Sequence, residues 1–368
     1  MIVDRRLLPH LDWPLLGALI ALSLISLATI YSVTWDFRLD QPGREFWTQV
    51  YALPIAFVAL IVCLAIDYRS LTQRSLWIYA ALVLALVYVS FFGVVRGGSR
   101  RWIPVGSFSL QPSEFARIAL ALVLAMFYGE SRRSARAMGE LLAGAAIFAV
   151  PGFLILKQPD LGTAAIGLLP VFVGVVYLAG LRMRWIWIAL LALVLLSPVI
   201  WRYALQDYQK DRIMTFIDPS QDARGKGYQQ IQAKVTVGSG GLFGKGFKQG
   251  TQGGYGFLPV AHNDFVFSVL AEEHGFIGVL VALGLYLFVI ARSLDAAKLS
   301  KDRVGAFLVV GLISGFGAQV LYNITMSAGL APVKGLTLPL MSYGGSSLVA
   351  TLAAFGLILN VRKRRFTN

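Results

Sequence analysis

Charged residues are scarce in this chain: Asp, Glu, Lys and Arg together make up 14% of its 368 residues. A soluble protein of this length carries roughly 25%. Hydrophobic residues reach 57%, and the mean hydropathy is +0.68. A soluble fold of this size cannot bury so much apolar surface. The composition therefore excludes an ordinary soluble protein and predicts a membrane protein.

Cysteine and histidine are nearly absent. The single cysteine, Cys63, lies in an apolar run, so it permits neither an intramolecular disulfide nor a cysteine-based metal site. The three histidines, His10, His262 and His274, are too scattered for a metal-ligand motif. An internal repeat and a separate soluble domain are lacking too. We expect one polytopic membrane domain over residues 1–368, without a metal site of its own.

Acidic residues are fewer than basic ones, which leaves a net charge of +14 and a pI near 10.0. In a soluble protein this balance would suggest a nucleic-acid partner. Here the basic residues cluster in short stretches between apolar segments, so we expect anionic lipid head groups and no nucleic acid. They are concentrated in the loops on the side of the two termini. Both termini are therefore predicted to be cytoplasmic.

Apolar runs long enough to cross a bilayer recur along the chain. Since a spanning helix needs about 20 mostly apolar residues, the sequence predicts an all-α integral membrane protein of about ten transmembrane helices. One long extracellular loop is predicted at about residues 204–263. The predicted spans are 14–35, 47–66, 75–95, 113–128, 138–156, 161–180, 185–203, 264–291, 304–328 and 338–361.

A shorter outer segment, residues 96–112, is predicted to be a loop rich in arginine. It contains Arg96, Arg100 and Arg101, and the arginine fork suits phosphate recognition. Trp102 beside them has two interpretations. It is either an anchor at the membrane interface or a surface that stacks on a sugar.

The long outer loop contains one amphipathic stretch and a run of glycines. Tyr228, Ile231 and Val235 have helical spacing, which predicts a short interfacial helix. The glycines that follow, from Gly238 to Gly256, permit tight turns and a close approach to a ligand. The alternative is a flexible extracellular linker.

Acidic side chains at membrane depth are costly and suggest function. Five lie in or at the ends of the predicted spans: Glu114, Asp160, Asp264, Glu272 and Glu273. Asp264 stands where the long loop enters the eighth span. It is either an N-cap or a catalytic carboxylate that partial desolvation tunes toward the pKa of a general base. One of the two neighbouring glutamates is expected to face a polar cavity.

Two further candidates each have two interpretations. Glu114 and Arg117 share a helix face, either as a self-contained ion pair or with the arginine binding a phosphate. Asp160 in QPDLGT either caps the sixth helix or contacts the substrate. The small residues of SYGGSS at 342–347 indicate close helix packing.

Taken in order, five stretches resemble the SEDS family (shape, elongation, division, sporulation) over nearly the whole chain. GKG followed by GTQ is more similar to its elongation members than to its division members. The stretches are RRWIPVGSFSLQPSEFARI at 100–118, QPDLGT at 158–163, VGSGGLFGKGFKQGTQ at 237–252, FLPVAHNDFVFSVLAEEHGFIG at 257–278 and PLMSYGGSS at 339–347.

The resemblance implies a peptidoglycan glycosyltransferase of the bacterial inner membrane that polymerises lipid II at the outer leaflet. The family's essential acidic residue falls on Asp264, its outer-loop tryptophan on Trp102, and the glutamate of its QPSE motif on Glu114. Where the family has lysine three positions after that glutamate, this chain has Arg117. The candidate substrate-binding residues are Arg101, Trp102, Glu114, Arg117, Asp160 and Lys245.

The resemblance also implies partners, namely a class B penicillin-binding protein and other membrane proteins of the rod complex. No cofactor is required by the pattern, although a divalent cation is a possible aid to the diphosphate leaving group. Two rival functions stay open. A flippase for the lipid-linked precursor would have a midplane cavity reachable from both sides and often repeated halves. A scaffold that merely activates its partner would not need Asp264.

Overall fold

The computed structural model describes residues 11–36, 39–96, 99–106, 108–131, 138–222, 225–254 and 256–366. Of the residues singled out above, His10 lies outside these ranges. In chain order the helices are α1 (Trp13–Val33), α2 (Arg44–Ala65), α3 (Tyr68–Gln73), α4 (Ser75–Phe92), α5 (Pro112–Glu130), α6 (Met138–Lys157), α7 (Thr163–Leu178), α8 (Met183–Leu195), α9 (Ser197–Tyr203), α10 (Asp207–Ile217), α11 (Lys226–Ser239), α12 (Thr251–Gly254), α13 (Val266–Lys298), α14 (Arg303–Ser327) and α15 (Gly345–Lys363).

A helix occupies each of the predicted spans. Within the described ranges, eight helices are long and apolar enough to cross a membrane by themselves. The pair α8 and α9 forms a ninth candidate that is bent by 48°. The sixth predicted span corresponds to α7, which is shorter and begins as a π-helix over Thr163–Leu168. The all-α, multi-pass fold predicted from the sequence is therefore confirmed.

The predicted start of the last span at residue 338 is wrong, because α15 begins at Gly345. The preceding apolar segment turns instead of spanning. Leu340 has a φ of 68°, which a helix does not allow. The Leu338 amide donates to Ser342 Oγ at 2.7 Å, so this buried turn satisfies its own backbone. Hydropathy alone cannot distinguish such a turn from a helix.

The outer segments are more ordered than predicted. Residues 96–112 were expected to be a loop but contain most of a three-stranded antiparallel sheet. Its strands, after the short hairpin β1 (Trp35–Asp36) and β2 (Gln41–Pro42), are β3 (Val94–Arg96), β4 (Ser99–Val105) and β5 (Phe108–Leu110). In the long loop, α11 includes the amphipathic stretch and confirms the helix expected there.

Three helices form the centre of the bundle. More than half of the residues of α5, α14 and α15 are buried. Helix α14 packs against α5, α7 and α13, and α15 packs against α2. Helix α8 is the opposite case, because none of its residues is buried although all of them except Arg184 are apolar. Such a helix suits surroundings of lipid rather than of protein.

The loop with the glycines from Gly238 to Gly256, called the glycine-rich loop below, forms hydrogen bonds with α13 where that helix is broken. At Gly275 the helix has φ 63° and ψ −162°. The carbonyls of Glu272 and Glu273 accept hydrogen bonds from the amides of Lys245 and Gly246, at 2.9 and 3.0 Å. The two amides after the break donate to carbonyls of the same loop. The alternative of a flexible linker is therefore wrong for this part of the long loop.

Candidate active site

Asp264 lies in a turn just before α13 and is buried, with 5% of its surface exposed. Its amide donates to the Val260 carbonyl at 3.1 Å, and Val260 has a φ of 54°. The N-cap of α13 is Phe265, and no side chain bonds to the first turn from that position. The capping interpretation of Asp264 is therefore wrong. This carboxylate is held in place by its backbone, not by a cap.

The Asp264 side chain has an unusual environment for a carboxylate. Among the described residues, no hydrogen-bond donor reaches its buried Oδ1. Burial raises its pKa from 3.8 to about 6, and the positive charges of Lys226 and Arg212 partly oppose this rise. A carboxyl group with that pKa is ionised at neutral pH and accepts a proton readily, as a general base must.

Glu114 and Arg117 form the ion pair that their spacing predicted, with 3.2 Å between the Arg117 Nη2 and Glu114 Oε2 atoms. Arg117 also donates to Gln319 Oε1 at 2.6 Å and to Thr351 Oγ1 at 3.1 Å. These residues border a small cavity with room for about one water molecule. Its lining comprises Ser113, Glu114, Arg117, Thr163, Gly167, Leu168, Gln319 and Leu336.

Arg101 and Asp160 are brought together across the outer surface. Arg101 Nη1 lies 3.2 Å from Asp160 Oδ2, and the same guanidinium donates to the carbonyls of Gln158 and Pro159. Asp160 Oδ1 accepts from the Thr163 amide at 3.0 Å, so its capping role is confirmed. The N-cap position itself is Gly162, so Asp160 binds the first amide of α7 from two residues before the cap. This arrangement joins β4 to the turn before α7. It supports both a structural role and a place at the edge of a binding site.

Lys245 points at a carboxylate of its own chain. Its Nζ lies 2.6 Å from Glu272 Oε1 and 2.9 Å from Thr251 Oγ1. Glu272 is wholly buried at the bottom of the glycine-rich loop. Its neighbour Glu273 accepts a hydrogen bond from Ser32 of α1. The substrate-binding role of Lys245 stays a prediction, whereas its role in holding this loop is visible.

Trp102 lies half-buried in β4, directly across the ladder from Val94. This position is compatible with an anchor at the membrane interface and with a surface that stacks on a sugar. His262, two residues before Asp264, lies edge-on to the Tyr343 ring, with 5.6 Å between ring centroids. Burial lowers the pKa of His262, and Glu45 partly opposes this. A neutral imidazole therefore borders the turn that carries Asp264.

Three basic residues near Asp264 were not among the sequence candidates. Lys226 and Arg212 act on Asp264 electrostatically from α11 and α10. Lys334 lies in the loop after α14, and burial and then the charge of Arg212 lower its pKa. All three come from connecting segments, where hydropathy carries no signal and basic residues are common. Only the folded chain shows that they share one face with Asp264.

A protein-built metal centre finds no support in the part of the chain that the structure describes. No group of three His, Cys, Asp or Glu side chains there has the arrangement to hold a metal ion. The free Asp264 Oδ1 fits a single ligand of a Mg²⁺ ion. Because Mg²⁺ is often held by one or two carboxylates together with substrate phosphates, such an ion would need phosphate groups supplied by a substrate. It would supply neutralisation of charge on the leaving oxygens.

Sequence comparison places the chain in a family. It matches the sequence model of the cell cycle proteins FtsW, RodA and SpoVE over residues 9–366. The chain belongs to this family. The resemblance inferred from the five motifs is thus confirmed, and the chain is a multi-pass protein of the bacterial inner membrane.

Individual relatives agree with the family assignment. The chain is 36% identical to the peptidoglycan glycosyltransferase MrdB of Escherichia coli K12 over 357 residues, which are 97% of this chain and 94% of MrdB. It superposes on a subunit of a peptidoglycan synthase complex that coordinates polymerization and crosslinking, with a TM-score of 0.85, 32% identity and 97% and 99% coverage of the two chains. For the rod shape determining protein RodA of Thermus thermophilus the values are 0.72, 31%, 97% and 98%.

Proposed function

We propose that this protein is a peptidoglycan glycosyltransferase that polymerises lipid II at the outer leaflet, with Asp264 as the general base. The observation that carries the proposal is the buried Asp264 carboxylate, whose Oδ1 has no described donor and whose pKa is raised to about 6. The names of the relatives support the reaction class. The elongation role is supported by the GKG and GTQ motifs.

The reaction joins two lipid-linked disaccharides. Asp264 takes the proton from the attacking hydroxyl of the acceptor sugar. The hydroxyl oxygen forms a bond to the anomeric carbon of the donor, and the bond from that carbon to the diphosphate oxygen breaks. Undecaprenyl diphosphate leaves with the bonding electrons, and the anomeric configuration inverts. The sugar carries oxocarbenium character in the transition state, as in other glycosyl transfers.

Negative charge grows on the diphosphate as it leaves, so cations have to face it. Lys226 and Arg212 already act on Asp264, and Lys334 lies in the loop beside it. We assign these three residues to the diphosphate. Arg101 and Arg117 are each paired with a carboxylate, and we assign them to the walls of the site.

A lipid-linked substrate needs apolar surface for its chain close to a polar site. Helix α8 has an uncovered apolar surface, since all of its residues except Arg184 are apolar and none is buried, and we assign the lipid chain to it. The small cavity beside Arg117 has room for about one water molecule, which is far too little for a sugar head group to pass. The arrangement favours chemistry at the outer face over transport through the bundle.

The proposed partners follow from the same reaction. A glycan polymerase produces strands that a transpeptidase cross-links, and the structural relative in a peptidoglycan synthase complex supports such a pairing. We propose a class B penicillin-binding protein as the direct partner, together with other membrane proteins of the rod complex.

The test is incubation of the purified protein alone with lipid II in detergent, followed by separation of glycan strands on a gel. We expect strands from the wild type and none from Asp264→Asn. Strands from Asp264→Asn at the wild-type rate would refute the assignment of the base. Absence of strands together with transfer of lipid II across vesicle membranes would favour a flippase. Strands that appear only with the partner, and equally with either variant, would favour a scaffold.

A further inference from the structure

One side chain ties the backbone of Asp264 to the loop that lies over it. Asn323, on α14, is wholly buried. Its Nδ2 donates to the Asp264 carbonyl at 3.0 Å and to the Leu336 carbonyl at 2.6 Å. An amide nitrogen has two N–H bonds, so both are used. The two carbonyls belong to segments that are 72 residues apart in sequence, and this one side chain bonds to both.

The loop segment held in this way touches the carboxylate. Gly335, one residue before Leu336, has a φ of 67°, and a Cβ built on it would lie 3.4 Å from Asp264 Oδ2. One helical turn before Asn323, Gln319 Nε2 donates to the next carbonyl, that of Thr337, at 2.9 Å. Helix α14 therefore holds two consecutive carbonyls of the loop. This sets how closely Gly335 covers Asp264.

The same loop segment divides two parts of the site. Leu336 lines the small cavity that also contains Arg117, while its carbonyl faces Asn323 and Asp264 on the other side. Gln319 contacts Arg117 through its Oε1 and the loop through its Nε2. A displacement of the loop would thus change the surroundings of both candidate groups.

We infer that Asn323 is a positioning residue for the glycosyl transfer, fixing Asp264 and the loop around Gly335 in one geometry through two hydrogen bonds from a single amide. The inference rests on the proposed function. Asn323 is too deeply buried to contact a sugar, so it acts through Asp264. A displacement of about 1 Å at a reacting group can reduce a rate by about 100-fold. Loss of the two hydrogen bonds from Asn323 is therefore expected to slow the reaction.

The decisive variant is Asn323→Leu, which keeps the size of the side chain and removes both donors. We expect kcat on lipid II to fall about 10- to 100-fold, with little change in KM, because the base moves while the substrate contacts stay. We also expect the acid limb of the pH–rate profile to move to lower pH. A loosened loop admits water to Asp264, and less desolvation lowers the pKa of a carboxyl group.

The two charges that act on the pKa of Asp264 stay in place in this variant. Lys226 and Arg212 lie on α11 and α10, neither of which contacts Asn323 through a hydrogen bond that the structure describes. Lys334 moves with the loop, and its loss as a neighbour would raise the pKa of Asp264 instead of lowering it. The acid limb of the pH–rate profile therefore moves to lower pH if water enters and to higher pH if a cation moves away.

Asn360 provides a matched control at the other end of the bundle. It is also wholly buried, and its two N–H bonds are shared among the carbonyls of Cys63, Leu64 and Ile66, which lie 3.2, 2.8 and 2.6 Å from its Nδ2. Asn360→Leu removes donors of the same kind, far from Asp264. We expect both variants to lower the melting temperature, and only Asn323→Leu to change kcat per folded molecule and the acid limb.

Equal kcat and an equal acid limb in Asn323→Leu and Asn360→Leu would overturn the inference while leaving the proposed function intact. An inactive wild type would instead refute the proposed function. If Asn323→Leu does not fold, Asn323→Gln serves in its place, because it keeps the amide but lengthens the side chain by one methylene and displaces the loop. Wild-type kcat and acid limb in a folded Asn323→Gln would likewise overturn the inference.

Discussion

Asp264 and Glu272 are two buried carboxylates about two helical turns apart, and their surroundings differ completely. Asp264 Oδ1 has no donor among the described residues. Glu272 accepts hydrogen bonds from the Lys245 ammonium, the Thr251 hydroxyl and the amides of Thr251, Gln252 and Gly253. Buried polar groups are normally satisfied, so an unsatisfied carboxylate oxygen such as Asp264 Oδ1 is a candidate for chemistry. Glu272 holds a loop, and Asp264 is available to a substrate.

The difference arises from the loops that cover the two residues. The glycine-rich loop comes close enough to Glu272 to aim backbone amides at it, because its glycines lie directly against the backbone of α13. The loop over Asp264 brings Gly335 close to the carboxylate, and among the described residues no amide donates to its Oδ1. Hydrogen bonds thus stabilise the Glu272 anion, whereas burial dominates at Asp264 and the charges of Lys226 and Arg212 oppose it only in part.

The largest expected effect separates the two residues by activity. Asp264→Asn should reduce the polymerisation rate on lipid II by about 10²- to 10⁴-fold, the contribution of a general base. Glu272→Gln, measured per folded molecule, should retain the rate within about tenfold, since its contacts only position the loop. Gel quantification of glycan strands checks both. Equal losses in the two variants would remove the distinction between them.

The second effect separates them by stability. Glu272→Gln should lower the free energy of unfolding by about 3 kcal/mol, because breaking a buried pair leaves Lys245 and several amides poorly matched. The control is Lys245→Met, which we expect to lower it by about 1 kcal/mol, because the carboxylate keeps its backbone donors. Thermal unfolding in detergent measures both. A larger loss in Lys245→Met would show that the lysine, not the carboxylate, organises the loop.

The sequence predicted the helices and identified Asp264 as a candidate catalytic residue. It did not predict that the surroundings of Asp264 and Glu272 differ. Long apolar runs define the spans, and the position of Asp264 at the start of one marks it as a candidate. The donors to Glu272 are backbone amides about twenty residues earlier in the chain, and no residue type encodes them. Asn323 was not predicted for a related reason. The role of a polar residue in an apolar helix depends on its hydrogen-bond partners, which the sequence does not show. The strand β4 and the turn before α15 were missed because their hydropathy resembles that of a loop and of a span.

A third effect concerns the pH dependence of stability. Since the pKa of Asp264 rises from 3.8 to about 6 on folding, the folded state binds this proton more tightly than the unfolded state. The wild type should therefore lose stability as the pH rises from about 4 to about 6, by roughly 3 kcal/mol at most. Asp264→Asn removes this loss. Its melting temperature should match that of the wild type at pH 4 and exceed it at pH 7.5. A variant less stable than the wild type at pH 7.5 would contradict the desolvated carboxylate.

The smallest effect concerns Asp160, a buried carboxylate that lies between the two extremes because it is paired, but with the partly exposed Arg101. Asp160→Asn keeps an acceptor for the Thr163 amide and loses the charge that faces Arg101. We expect a loss of about 1 kcal/mol in stability and a change of less than about threefold in kcat/KM. A tenfold loss of kcat/KM at an unchanged melting temperature would instead assign Asp160 to substrate binding.

The rate of glycan polymerisation by the purified wild type, followed from pH 4.5 to pH 8, tests most directly whether the unsatisfied carboxylate is the base. A base with the pKa of Asp264 gives a rate that is half-maximal near pH 6 and level above it. The same limb should be absent from the residual rate of Asp264→Asn. A wild-type rate that stays constant across this range, or a limb that survives in Asp264→Asn, would contradict that role.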